Sequence, residues 1–287
     1  MYTSPEEDRS DLFLAGAVYI LGPQVLGIIL GRVPIPAAAS PLLSLLLIVA
    51  TTILVPLLLI RYRKQRLSEF GFAGPPGSAV AGLLPVAPIV AAYVIAGAVA
   101  GSPFTAVPLL TAVNGGTWVG FVVQAVAGLC AGLLAVYMTV KARTAFRSDP
   151  DYLRPTMWWL GRFAAIAAAV TSLLLLLSVV VRGGALTTGV EILLVPLGVA
   201  GAAWLVHQRL SGSQLTTRAS LITPMVVLAI GPFTLFGGAV AFVAGLWRAA
   251  LLAGIGLLIG ALIESKRTAW APLGLAAGLA LLTPLLP

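Results

Sequence analysis

The sequence predicts an all-α fold, a polytopic transmembrane helix bundle of about eight or nine spans. Three observations lead there. Hydrophobic residues fill 60% of the 287 positions and charged residues only 9%, whereas a soluble domain carries roughly 25% charged residues. Mean hydropathy is +1.06, and apolar runs of about 20 residues, enough to cross a hydrocarbon core, recur along the chain. The charges gather in short clusters between these runs, the pattern that orients helices in a bilayer. The chain is expected to form one integral membrane domain over 1–287. Within it are two N-terminal helices (1–60), a basic interfacial connector (61–77) and a helical core (78–287).

The elements follow from apolar runs and their breakers. The first span is expected at about 11–31, after an acidic N-terminus, "MYTSPEEDRSD", and with no convincing small-residue cleavage site behind it. The second covers about 41–60 and ends at "RYRKQR". The connector "LSEFGFAGPPG" should lie along the interface, with Phe70 and Phe72 among the headgroups. The third and fourth spans are expected at about 78–101 and 118–140, the latter ended by "KARTAFRSDPDYLRP". The fifth and sixth follow at about 156–181 and 187–206. The seventh, about 219–242, contains Pro224, Pro232 and Gly237-Gly238, each able to kink or break it. The eighth and ninth are expected at about 249–263 and 270–287. Glycines in "GIGLLIGA" suit close helix packing.

A cytoplasmic N-terminus puts 13 Lys and Arg on the inner side: Arg9; Arg61, Arg63, Lys64 and Arg66; Lys141, Arg143, Arg147 and Arg154; Arg209 and Arg218; Lys266 and Arg267. The outer side then holds three, Arg32, Arg182 and Arg248, with Arg162 inside a span. That asymmetry predicts a cytoplasmic N-terminus, and the location expected for the chain is a prokaryotic plasma membrane. The net charge of +8 is spread over these clusters, so no nucleic-acid partner is expected. The expected partners are the lipid bilayer and other integral membrane proteins. No connector exceeds about 17 residues, far below the roughly 50 of the smallest domains, which excludes a separate soluble catalytic domain.

Polar groups inside the spans are few. Glu191, about five residues into the sixth span, is the candidate functional acid. It is either a ligand or proton-handling carboxylate, or an interfacial or protein-buried acid. If structural, it is expected to pair with Arg182 or water. Arg162 in the fifth span is shallow enough to snorkel. His207 sits at a helix end, where the dipole favours it. Cys130 reads as a small packed core residue and, being alone, excludes an internal disulfide. No GxSxG, HExxH, GxxxxGK[ST] or CxxC motif occurs. One His, one Cys and one intramembrane Glu do not supply a zinc site. Catalytic residues, metal and cofactor are therefore all expected to be none.

The stretch "IESKRTAWAPLGLAAGLALLTP", residues 263–284, is similar to the last helix of the CPBP family, the CAAX-protease and bacteriocin-processing membrane proteins. Thr268 and Trp270-Ala271-Pro272 match the family's charged turn and helix entry. "RYRKQRLSEFGFAGPPG" resembles its basic turn, and "GVEILLVPLGVAGAAWLVHQRL" resembles its Glu-Glu-x-x-x-Arg helix. In that alignment Val190 replaces the first Glu, Glu191 matches the second and Val195 replaces the Arg. Phe233 or Phe236 stands in the Phe-x-x-x-His helix with no His after it, and Ala276 and Ala280 occupy the final His and Asn positions. The resemblance implies the family's fold over about 60–287 without the groups that activate water for peptide cleavage.

The function so implied is a non-catalytic, CPBP-like membrane protein acting by binding, as an accessory subunit of a membrane complex or an immunity-type protein. The alternatives are a transporter, suggested by Gly22-Pro23, Pro85, Pro88, Pro224 and Pro232 inside spans, and an active intramembrane protease. The orientation has a direct test. A cysteine replacing Lys64 should resist an impermeant thiol reagent in intact cells and react once the inner face is opened. Ready labelling from outside would overturn the topology.

Overall fold

The computed structural model describes residues 4–30, 39–100, 118–146, 214–230 and 242–282, with isolated positions between 201 and 212. The described residues are helical, with no strand among them. Nine α-helices are described: α1 (Pro5–Leu30), α2 (Ser40–Val49), α3 (Val55–Tyr62), α4 (Ala79–Leu83), α5 (Val86–Ala100), α6 (Trp118–Ala145), α7 (Leu215–Ile230), α8 (Phe242–Lys266) and α9 (Trp270–Leu282). The expected fifth span, and the expected sixth apart from isolated positions near its end, lie outside the described residues.

Among the described residues, two stretches are long and apolar enough to cross a membrane. They are Leu45–Tyr62, which runs from α2 into α3, and Ala125–Ala145 in α6. Their environments differ: 28% of the first is buried and 72% of the second. The described residues thus show the all-helical class, with two membrane-length helices among them, and not the eight or nine spans expected from sequence. α6 is the hub, packing against α1, α2, α7, α8 and α9.

Three helix boundaries and the continuity of two spans differ from expectation. α1 begins six residues earlier than the expected span. Ser4 Oγ accepts from the Glu7 amide (3.2 Å) and Glu7 Oε2 accepts from the Ser4 amide (3.0 Å), a reciprocal cap on "SPEE" with Pro5 at the first helical position. α6 continues to Ala145 and takes in Lys141 and Arg143, both expected in a connector. α8 starts at Phe242, so Arg248 lies within a helix and not in an outer turn. The second span is interrupted by a π-helical turn over Ala50–Leu54. Pro56 cannot donate the amide bond that a regular helix would make four residues back. Thr51 and Thr52 meanwhile turn their hydroxyls onto the Leu47 and Ile48 carbonyls. The third span is broken in two between α4 and α5, at Leu84-Pro85.

Small residues set the closest helix contacts. Gly256 and Gly260 of α8 lie against the backbone of α7 at Pro224, Met225 and Ser220, which gives the "GIGLLIGA" stretch its packing role. Gly82 of α4 meets the Ala271 carbonyl of α9, and Gly274 of α9 meets the Ala79 carbonyl of α4. A Cβ at either glycine would overlap that backbone. Gly82→Ala and Gly274→Ala should therefore each destabilise the fold by about 1–3 kcal/mol, an overpacking cost. Gly77→Ala, where an added Cβ meets nothing, should leave the unfolding midpoint in detergent unchanged. Equal midpoints for all three variants would contradict this α4–α9 contact.

Candidate functional site

Among the described residues, a buried cluster of charges lies where α1 crosses α6. Asp8 and Asp11 stand three residues apart and so share one face of α1. Their exposures are 1% and 2%, and that of Lys141 on α6 is 1%. Lys141 Nζ donates to Asp8 Oδ1 at 2.7 Å and to Asp11 Oδ2 at 2.8 Å. Arg63, the residue that ends α3, donates from Nε to Asp11 Oδ1 at 3.2 Å and from Nη1 to Glu7 Oε1 at 2.7 Å. Partial burial opposes the charge on Arg63, but Asp11, by charge and hydrogen bond, and Glu7 outweigh it and hold its pKa above the ordinary value.

Glu7 and Asp8 lie in the first turn of α1, where the helix dipole favours an acid, and Arg63 caps the C-terminal end of α3, where it favours a cation. Asp8, Asp11, Lys141 and Arg63 sum to zero, so no net charge is buried. Tyr137, one turn before Lys141, stacks on Phe70 with centroids 5.4 Å apart, and Lys141 Nζ lies 6.0 Å from the Tyr137 centroid. Arg9 Nε donates to the Ala145 carbonyl at 3.3 Å, tying α1 to the end of α6 a second time. Phe70 is 3% exposed. The expectation that it lies among headgroups is thus corrected: its ring covers Tyr137 and leaves the interface to other residues.

A second junction joins the two described segments that carry the family resemblance. The Ala269 amide donates to the Gly71 carbonyl (3.0 Å), and Thr268 Oγ1 donates to the same oxygen (3.3 Å) while accepting from the Trp270 amide (3.2 Å). Trp270 Nε1 donates to the Phe72 carbonyl (3.3 Å), and the two rings meet edge to face at 5.9 Å. Gly71 has φ +87°, where an added Cβ would lie 2.7 Å from the Ala269 amide nitrogen, so only glycine fits. The "FGFAG" turn and the Trp-Ala-Pro entry therefore form one unit. A third contact at this end joins Ser220 Oγ to Glu264 Oε1 (2.8 Å), with Arg143 at 3.8 Å and Arg267 at 3.9 Å from that carboxylate.

Glu191, Val190, Val195, Phe233, Phe236, Arg162, Arg182 and His207 lie outside the described residues. Ala276 and Ala280 are buried at 3% and 1%, and the Ala276 methyl lies where a Cβ on Gly132 of α6 would be. Cys130 is buried at 2% and packs with Ile48 and Ala127. No group of three His, Cys, Asp or Glu placed to hold a metal occurs among the described residues. Of the charged cluster, sequence reasoning missed the pairing. Its signal was Asp8 and Asp11 at i, i+3, facing a lysine that extends an otherwise apolar helix.

The arrangement ties three segments together through charge: both aspartates face cations. Removing one partner strands a buried charge, so Lys141→Met should destabilise the fold by about 3–5 kcal/mol. Adding Asp8→Asn and Asp11→Asn to Lys141→Met should recover most of that loss in thermal unfolding. A triple variant no more stable than Lys141→Met would mean the carboxylates matter apart from the lysine.

No protein-family model matches this chain, and neither does any curated protein or solved structure.

Proposed function

We propose that the chain is an integral protein of a prokaryotic plasma membrane, with its N-terminus in the cytoplasm, that acts by binding other membrane proteins and not by catalysis. On this reading it is a non-catalytic relative of the CPBP family, an accessory subunit or an immunity-type protein. The observation that carries the non-catalytic part is the contact of Ala276 with Gly132. At the position where the family would place an imidazole, two helices touch through a methyl group, and a histidine there would have to part them.

The orientation draws support from the contacts at one end of the bundle. Arg9 bonds to the end of α6, Arg63 and Lys141 share Asp11, Arg143 and Ser220 approach Glu264, and Thr268 meets Gly71. Five segments assigned to the inner side from sequence thus converge, as an alternating topology requires. Lipid exposure draws support from Leu42, Leu46, Leu54, Leu57 and Leu58, which are 46–66% exposed along α2 and α3. In water these leucines would form a large unpartnered patch.

Transport is a second reading with its own support. A π-helical turn interrupts one expected span and a break at Leu84-Pro85 divides another, as in the discontinuous helices that form midplane sites. Uptake by proteoliposomes that is lost in Asp11→Asn would favour it over binding.

The binding reading predicts that the protein purified in mild detergent holds no stoichiometric zinc, cleaves neither prenylated nor leader peptides, and co-purifies with one membrane protein at fixed stoichiometry. Peptide cleavage abolished by Glu191→Ala would overturn it.

A further inference from the structure

We propose that the exposed cations following α3, together with Arg267, form a rim that binds the headgroups of anionic phospholipids. The proposal rests on the membrane-spanning reading and adds a ligand class to it.

The helix itself sets the depth. Leu54, Leu57 and Leu58 are 50%, 46% and 56% exposed, and Arg61 continues their stripe three residues beyond Leu58 and four beyond Leu57. At 1.5 Å per residue, the Arg61 backbone is about 4.5 Å past the last exposed leucine. A guanidinium that extends a lipid-facing stripe by this distance reaches the phosphate layer. Tyr62, 76% exposed, stands beside it, as aromatic residues do at the membrane boundary.

The cations are available. Arg61, Lys64 and Arg66 are exposed, and no acid pairs with them among the described residues. Arg63, by contrast, turns inward to Asp11 and Glu7. Arg267 is 59% exposed and 3.9 Å from Glu264, too long for a hydrogen bond, so its donors remain open to another acceptor.

Backbone conformation makes the choice of residue specific. Lys64 and Arg267 have φ of +54° and +53°, the only non-glycine residues in the left-handed region among those described. Both follow a helix end. At α3 the Lys64 amide bonds to the Arg61 carbonyl and the Gln65 amide to the Ile60 carbonyl, the pattern in which glycine is usual. A side chain there costs free energy that glycine avoids. The helix dipole does not account for this, since Arg61 and Lys266 already place cations in the last turns. A phosphate ligand outside the protein does account for it.

The test uses the full chain in micelles containing equal amounts of phosphatidylglycerol and phosphatidylcholine, with the lipid retained after gel filtration counted by mass spectrometry. Wild type should retain phosphatidylglycerol preferentially. Each neutralised cation should lower the ratio about fivefold, so R61Q/K64Q/R66Q should remove the preference. Lys64→Gly separates binding from folding, because it should raise the unfolding midpoint while lowering retention. Equal retention of the two lipids, an unchanged ratio in the triple variant, or undiminished retention in Lys64→Gly overturns the proposal. So does displacement of the lipid by millimolar inorganic phosphate, which would mark a site for a free anion. Alkaline carbonate extraction of native membranes keeps the two readings apart. Release of the chain sinks the membrane-spanning reading itself, whereas an embedded chain without lipid preference sinks only the rim.

Discussion

A lysine with 1% exposure must have counter-charge within hydrogen-bonding reach, and that requirement organises one end of this protein. Lys141 takes two carboxylates from α1, one of those carboxylates takes Arg63 from the end of α3, and Arg63 takes Glu7 back on α1. Three segments far apart in sequence are thereby joined through five side chains. Individual ion pairs of this kind often fail to repay their desolvation. Here the cost is reduced because the four central charges cancel, and because Asp8 and Arg63 lie at helix ends that favour them. Outside that arrangement any one of them would be a liability.

Around the ionic centre the fold relies on close approach. If the helices lie in lipid, as proposed, they gain little from the hydrophobic effect when they associate, and contact comes from packing and hydrogen bonds. Gly82 and Gly274 bring α4 and α9 together, Gly132 and Ala276 bring α6 and α9 together, and Gly256 and Gly260 bring α8 onto α7. The Gly71 carbonyl then collects two donors from the start of α9. This last contact fixes the connector over α6, where Phe70 covers Tyr137. The ionic centre and the α9 entry therefore share a roof, and Phe70 and Gly71 are adjacent parts of it.

How much of this was legible in the sequence depends on the length scale of each interaction. Helical class was legible because long apolar runs with Gly and Pro breaks admit little else. Helix ends were less so, since a charge was taken as the end of a span. Asp8, Lys141 and Arg143 are helical because partners 130 residues or so away, or a nearby cap, make charge tolerable there. The pairing of Asp11 with Lys141 is long-range, and a single sequence carries no direct sign of it. Phe70 was misplaced for a related reason: an aromatic beside arginines suits a headgroup region equally well until Tyr137 is brought beneath it. Ala276 was legible as a small apolar residue of the last helix, but not that its methyl would pack against Gly132 of α6. Glu191, the acid chosen from sequence, lies outside the described residues, and the buried acids that the structure brings together are Asp8 and Asp11.

The two kinds of contact divide the work of specifying the fold. Leucine, valine and alanine faces are nearly interchangeable, and α1 could slide along α6 with little change in the apolar area it covers. A shift of one turn moves a helix by about 5.4 Å, which would carry Asp8 and Asp11 out of reach of Lys141 and leave three charges uncompensated. The ionic centre thus sets the register of α1 on α6, and Arg63 extends the same register to α3. The glycines then determine how near the remaining helices may come. In a chain with so few charged residues, placing five of them in one network is what turns an otherwise permissive set of apolar helices into a single arrangement.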